Sequence, residues 1–151
     1  MLRWRAWARD ETGSAALEFV TVGVILLVPL VYLVIVLGSI QEQSLGAEAA
    51  ARHMARAIAL APDAETAEMR SEEVLRGVVE EYGIESDSVE VSLTCVPASA
   101  ECPAAGATIV VTVEVTVQLP FVPSVLGIDR ALAIPLEASA TQKISRQWGS
   151  E

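Results

Sequence analysis

The sequence predicts an α+β protein with a long N-terminal transmembrane and amphipathic helix, a second helix, and a small antiparallel sheet of about three strands. Three observations predict it. A long uncharged apolar run lies near the N-terminus, two later stretches repeat apolar residues at helical spacing, and the last third alternates apolar and polar residues. We divide the chain into a basic N-terminal segment (1–13), a transmembrane helix (14–41) and an exported domain (42–151).

The apolar run is the predicted transmembrane helix, because no residue from Phe19 to Gln41 is charged. As a helix, Phe19–Ile40 is about 33 Å long at ~1.5 Å per residue, enough for a hydrocarbon core of about 30 Å. Pro29 bends such a helix without abolishing it. The alternative is a buried helix of a soluble protein, but those helices are rarely apolar on all sides over this length.

The charges that flank the span predict its orientation. Arg3, Arg5 and Arg9 precede the span, and the next basic residue is Arg52. By the positive-inside rule, the N-terminus stays in the cytoplasm and the C-terminal domain is exported.

Two helical stretches open the exported domain. Residues 42–61 place alanines and other apolar side chains on one face, so the membrane helix is expected to continue into an amphipathic half. Pro62 and Asp63 interrupt this pattern. A second helix is predicted from about Ala64 to Tyr82, with Gly83 as its C-terminal cap.

Three strands follow, each with apolar residues at every second position. They are predicted around Val89–Cys95, Ile109–Val117 and Leu132–Ala138. The connection Leu119–Asp129 is unusually apolar, which fits either a contact surface for a partner or a cover for the sheet edge. The tail from Ser145 is polar except for one tryptophan, and we expect it to fray.

Two cysteines, Cys95 and Cys102, flank the start of the loop between the first two strands. An exported domain favours a disulfide between them, and two free thiols are the alternative. Together with the single distant His53 they are too few to hold a metal ion. The bond would stabilise a sheet that has little core of its own.

Charge and motif content exclude several classes of function. The net charge of −10 opposes nucleic-acid binding, because an acidic chain repels phosphate backbones. The sequence has no catalytic triad, phosphate-binding loop, metal cluster or nucleotide motif. We therefore expect neither an enzyme nor a cofactor.

The start of the span carries a more specific signal, in the sequence from Gly13 to Phe19. Glu18 places a carboxylate at the lip of an apolar helix, where a charge is costly without a partner. An ordinary secretory signal cleaved before Ala50 is an alternative. Its apolar core would be too long, however, and would contain Pro29.

This start resembles a type IV prepilin, which has a short basic leader ending in glycine, a few small residues, glutamate, an aromatic residue and a membrane helix. Gly13 would end the leader, Ser14 would become the mature N-terminus, and Glu18 and Phe19 would be the fifth and sixth mature residues. Within that class it resembles the TadE-like minor pilins of the tight-adherence (Tad/Flp) pilus. Pro29 comes somewhat later than in their pattern, and the resemblance covers about 30 residues.

The resemblance implies a pathway for this chain. A prepilin peptidase would cut between Gly13 and Ser14, and Glu18 would pair with the mature N-terminus of a neighbouring subunit. The alternative for Glu18 is a carboxylate at the membrane interface without a partner. The implied partners are the lipid bilayer, the peptidase, other pilin or pseudopilin subunits, and the assembly platform of the bacterial inner membrane.

The implied role is that of a minor pilin, located in the cytoplasmic (inner) membrane or in a surface filament. Its folded domain fits that role, since major pilins of these systems are typically very short chains. Two alternatives stay open. One is an uncleaved, signal-anchored extracytoplasmic binding protein. The other is a type II secretion pseudopilin, although those helices usually lack a mid-span proline.

Overall fold

The computed structural model describes residues 14–98, 101–121 and 132–149. The predicted α+β architecture is confirmed: two helices are followed by a three-stranded antiparallel sheet. The chain divides into two compact units, the first ending at Gly38 and the second beginning at Ser39.

The helices are α1 (Ser14–Ala59) and α2 (Ala64–Glu81). The side chain of Asp63 caps the N-terminus of α2, because its carboxylate accepts a hydrogen bond from the N–H of Thr66 at 2.7 Å. Gly83 follows α2 with a φ of 60°, a left-handed conformation that glycine adopts without strain. The predicted glycine cap is therefore confirmed.

The sheet consists of β1 (Val89–Val96), β2 (Thr108–Val117) and β3 (Ile134–Lys143), with β2 in the centre. The first two strands lie where the alternation predicts them. The third begins later than predicted, at Ile134, and continues to Lys143, which pairs with Thr108. Backbone pairing with β2 extends β3 through polar residues that carry no apolar signal in the sequence.

One core joins the helices and the sheet of the second unit. The inner face of β2 is fully buried, and α1 contributes mostly small side chains. The main buried residues are Ala47, Ala50, Ala51, Met54, Ala55 and Ile58 of α1, and Ile109, Val111, Val113, Val115 and Val117 of β2. Alanines let α1 approach its neighbours closely, and β-branched residues fill the pleated face.

At Gly46, α1 lies against the residues that follow α2. A Cβ atom at this position would lie 2.9 Å from Cδ1 of Ile84 and 3.0 Å from Cβ of Tyr82. Only a glycine therefore fits here without displacement of Tyr82 and Ile84.

The prediction of a frayed tail is wrong through Gly149. Ile144 is 1% exposed, and Trp148 packs against the core. The N–H of Gly149 donates to the carbonyl of Pro62 at 3.0 Å. Two apolar anchors and backbone hydrogen bonds thus order a segment that looks polar in sequence.

The apolar connection predicted at Leu119–Asp129 falls mostly outside the described residues. At its described end, Phe121 is 82% exposed and has a φ of 65°. Both interpretations of this connection, partner contact and edge cover, stay predictions.

Candidate functional site

The described part of the first unit is a single apolar helix. Every described side chain from Ala15 to Ile35 is exposed, and Phe19 is 80% exposed. A soluble domain rarely leaves so large a continuous apolar surface in water. Such a surface is compatible with association with a lipid bilayer.

Among the described residues, α1 is the one helix long and apolar enough to cross a membrane, and none of its most apolar window is buried. This is compatible with single-pass membrane anchoring. The polar hydroxyl of Thr21 is satisfied inside the helix, since it donates to the carbonyl of Leu17 at 2.7 Å. Such internal bonding suits a segment surrounded by hydrocarbon, which offers no hydrogen-bond partners.

The predicted processing site lies at the edge of the described chain. Gly13 falls outside the described residues, and Ser14 is the first residue of α1. Glu18 follows Ser14 by four residues, so the two positions share one face of the helix, one turn apart. An amine created at Ser14 and the Glu18 carboxylate would therefore lie on the same side of the helix.

The described surroundings of Glu18 contain no opposite charge. The ion pair found in the described part of the chain joins Arg52 to Glu48 at 2.6 Å, well beyond the apolar run. Phe19, the next residue, presents its ring outward. Glu18 and Phe19 thus form a charged and aromatic pair at the start of an apolar surface.

The predicted disulfide is confirmed. Cys95 and Cys102 are bonded, with their Cα atoms 5.8 Å apart. Cys95 is 8% exposed and belongs to the core, so the bond fastens the loop to the inner side of β1. Structural disulfides of this kind are common in oxidising compartments.

The outer face of the sheet carries a feature that sequence reasoning missed. Glu90, Glu114 and Glu137 lie directly opposite one another on the three strands. Like charges in directly opposed positions destabilise a sheet. The alternating pattern puts each glutamate on the polar face, but only the strand register shows that the three are neighbours.

Neither this acidic row nor any other group in the described ranges forms a metal centre. No group of three or more His, Cys, Asp or Glu residues there could hold a metal ion. The depression beside the row is lined by polar and acidic side chains: Asp87, Ser88, Glu90, Glu114, Thr116 and Gln118. No base, nucleophile and orienting group come together there, so the row has no catalytic geometry.

Comparison with known proteins gives no match: no protein-family model fits the chain, and no curated protein or solved structure is significantly similar to it.

Proposed function

We propose that this chain is a minor pilin or pseudopilin of a Tad (Flp) type IV-like pilus, processed by a prepilin peptidase after Gly13. One observation carries the proposal. Glu18 and Phe19 stand near the start of the exposed apolar part of α1, shortly after a basic segment that ends in glycine.

The helix surface supports the proposal because it requires apolar surroundings. Large side chains cover it on all sides, among them Phe19, Ile25 and Leu30, each more than half exposed. Before assembly the bilayer would cover this surface. In a filament, the helices of neighbouring subunits would cover it instead, so both states satisfy the same apolar side chains.

The position of Glu18 supports a role in assembly, because a carboxylate at the start of the apolar run contributes nothing to simple membrane anchoring. The charge is costly in an apolar setting unless a cation compensates it. Cleavage after Gly13 would create one, the ammonium group at Ser14. A neighbouring subunit offers its own ammonium in the same way, so the pairing can join two copies.

Cleavage would also change what holds the chain in the membrane. The leader carries Arg3, Arg5 and Arg9, which favour retention at the cytoplasmic face. Their removal leaves an apolar helix whose Glu18 carboxylate can form an ion pair. Such a helix can leave the bilayer when an apolar filament core is available to receive it.

The second unit supports a role outside the cytoplasm. It is a folded domain with its own core and a disulfide, and both cysteines are used in that bond. A small sheet stapled in this way suits an extracytoplasmic environment. In the proposed function this domain is the exported part of the subunit.

The test is the mature N-terminus and intact mass of the protein, expressed in its own host with and without the prepilin peptidase. We expect Ser14 to be the first residue only when the peptidase is present. A chain that starts at Met1 or Leu2 in both strains would be a plain anchor, and the proposal would be wrong. A chain that starts at Ala50 would be a secreted domain, which would also contradict it.

A matched pair of variants separates assembly from anchoring. Glu18→Gln removes the proposed charge and keeps the shape, whereas Glu42→Gln removes a carboxylate just beyond the apolar run. We expect Glu18→Gln to be membrane-inserted but lost from sheared surface filaments, and Glu42→Gln to behave like the native chain. If both variants were incorporated equally into surface filaments, Glu18 would have no role in assembly.

A further inference from the structure

Helices α1 and α2 form the two walls of an open depression, which we name the helical groove. The α1 wall consists of His53, Arg56 and Ala57, with Leu60 directly after the helix. These positions follow the spacing i, i+3, i+4 and i+7, so they lie along one face. Leu60 is 67% exposed, and this wall therefore presents a large apolar side chain to solvent.

The α2 wall repeats the same spacing with Val74, Gly77, Val78 and Glu81. Val74 is half-buried, and Val78 packs into the core at the base of the groove. The groove is thus apolar along its floor and carries a charged side chain on each wall. An apolar floor between two helices is a surface into which a further helix can pack.

Gly77 lies on the floor of the groove, and nothing in the described chain requires a glycine there. A Cβ atom at this position would meet no atom within 4 Å, and its φ is not positive. At Gly46, by contrast, Tyr82 and Ile84 leave no room for a Cβ. Glycine weakens a helix interior relative to alanine, and it allows another backbone to approach closely. The space at Gly77 is therefore available to a second helix.

The two walls of the groove carry opposite charges, Arg56 on α1 and Glu81 on α2. Both side chains are exposed, and neither forms an ion pair within the described part of the chain. The net charge of −10 makes copies of this chain repel one another in general. Two copies therefore associate best through a surface whose charges are locally complementary.

We propose that the helical groove is the interface of a homodimer, in which α1 of each copy packs against α2 of the other. A two-fold axis along the groove produces this arrangement, because it places the α1 wall of one copy opposite the α2 wall of its neighbour. Arg56 of each copy then approaches Glu81 of the other, and Leu60 is removed from water. The interface belongs to the second unit and does not depend on cleavage after Gly13.

Charge reversal tests the pairing across the two-fold axis. The mass of the full chain is measured by sedimentation equilibrium in density-matched detergent, with micelles in excess so that two chains rarely share one by chance. We expect the native chain to dimerise, and Arg56→Glu or Glu81→Arg alone to weaken self-association about tenfold or more. A mixture of these two variants should regain dimers, because every contact across the axis then joins opposite charges.

Two further variants separate the groove from general effects. Lys143→Glu makes the same charge change as Arg56→Glu at an exposed residue outside the groove, and it should dimerise like the native chain. Gly77→Gln should keep the domain folded, as judged by circular dichroism, and weaken dimerisation because its side chain fills the floor of the groove.

Four results would each contradict the homodimer. They are a native chain that stays monomeric at all concentrations, undiminished dimers of both charge-reversal variants, a mixture that stays monomeric, and a loss with Lys143→Glu as large as that with Arg56→Glu. The mature N-terminus is measured separately, so failure of the dimer leaves the proposed processing after Gly13 unaffected.

Discussion

The two parts of helix α1 differ in the size and the exposure of their side chains. Before Gly38 its side chains are mostly large and exposed, as at Leu17, which is 70% exposed. After Ser39 its inward side chains are mostly small and buried, as at Ala47, which is 1% exposed. Hydrophobicity alone therefore does not decide burial in this chain. The later part has a sheet to pack against, whereas the described earlier part is apolar and mostly exposed.

The largest expected effect contrasts an isoleucine of the core with one of the exposed helix. Ile109 is 0% exposed, and Ile109→Ala should lower the free energy of unfolding by about 2–5 kcal/mol, because it leaves a cavity in the core beneath the central strand. Ile25 is 64% exposed, and Ile25→Ala should leave the stability of the domain unchanged. Denaturant melts of the full chain in detergent measure both. Equal losses would mean that the two regions are not independent.

A second contrast uses two glycines of α1. Gly46→Ala should destabilise the second unit by about 1–2 kcal/mol, because the new Cβ would collide with Tyr82 and Ile84. Gly38→Ala meets no atom within 4 Å and should be neutral or slightly stabilising, because alanine favours helix. Thermal melts of both variants check the difference. A neutral Gly46→Ala would show that α1 and the end of α2 are packed more loosely.

A third prediction concerns pH and the cap of α2. The hydrogen bond from the backbone N–H of Thr66 holds the pKa of Asp63 below its ordinary value. The stabilisation from this carboxylate is therefore present above the ordinary pKa and is lost as pH falls through the lowered pKa. Asp63→Asn keeps a capping side chain and should remove only this acid-dependent loss, whereas Asp63→Ala should lower the melting temperature at neutral pH as well.

Melting temperatures of the three proteins across acidic to neutral pH decide this prediction. An Asp63→Asn protein with the same pH dependence as the native chain would assign the acid sensitivity to other carboxylates.

The smallest expected effect lies on the outer face of the sheet. Glu114 stands between Glu90 and Glu137, so Glu114→Gln should stabilise the domain by about 0.2–1 kcal/mol, less at high salt. Glu72→Gln on exposed α2 is the matched control, since Glu72 has no cross-strand neighbour. A destabilised Glu114→Gln protein would show that the row is compensated by charges beyond the three strands.

Local patterns predicted most of the fold. The uncharged run predicted the first helix, Pro62 with Asp63 and Gly83 predicted the limits of the second, and alternation predicted the three strands, the third with different bounds. These features depend on near neighbours in the chain, so they can be read without a structure. The Cys95–Cys102 bond was also predictable, because the chain contains only these two cysteines.

The features that the sequence analysis did not predict involve residues whose contacts are distant in the sequence. The tail looked polar, yet it is held by Pro62 and Ala107, far from it along the chain. The acidic row depends on a register that no single strand contains. The candidate site at Glu18 and Phe19 is different again, since its proposed partners lie on other molecules.

The sequence by itself determined the apolar helix, the order of the elements and the inward face of each strand, because the spacing of apolar residues encodes them. Only the tertiary structure decided where α1 changes from exposed to buried, which glutamates become neighbours, and how the tail is fastened. Those outcomes depend on strand register and on contacts between distant segments, and hydrophobic spacing along one segment carries no information about either.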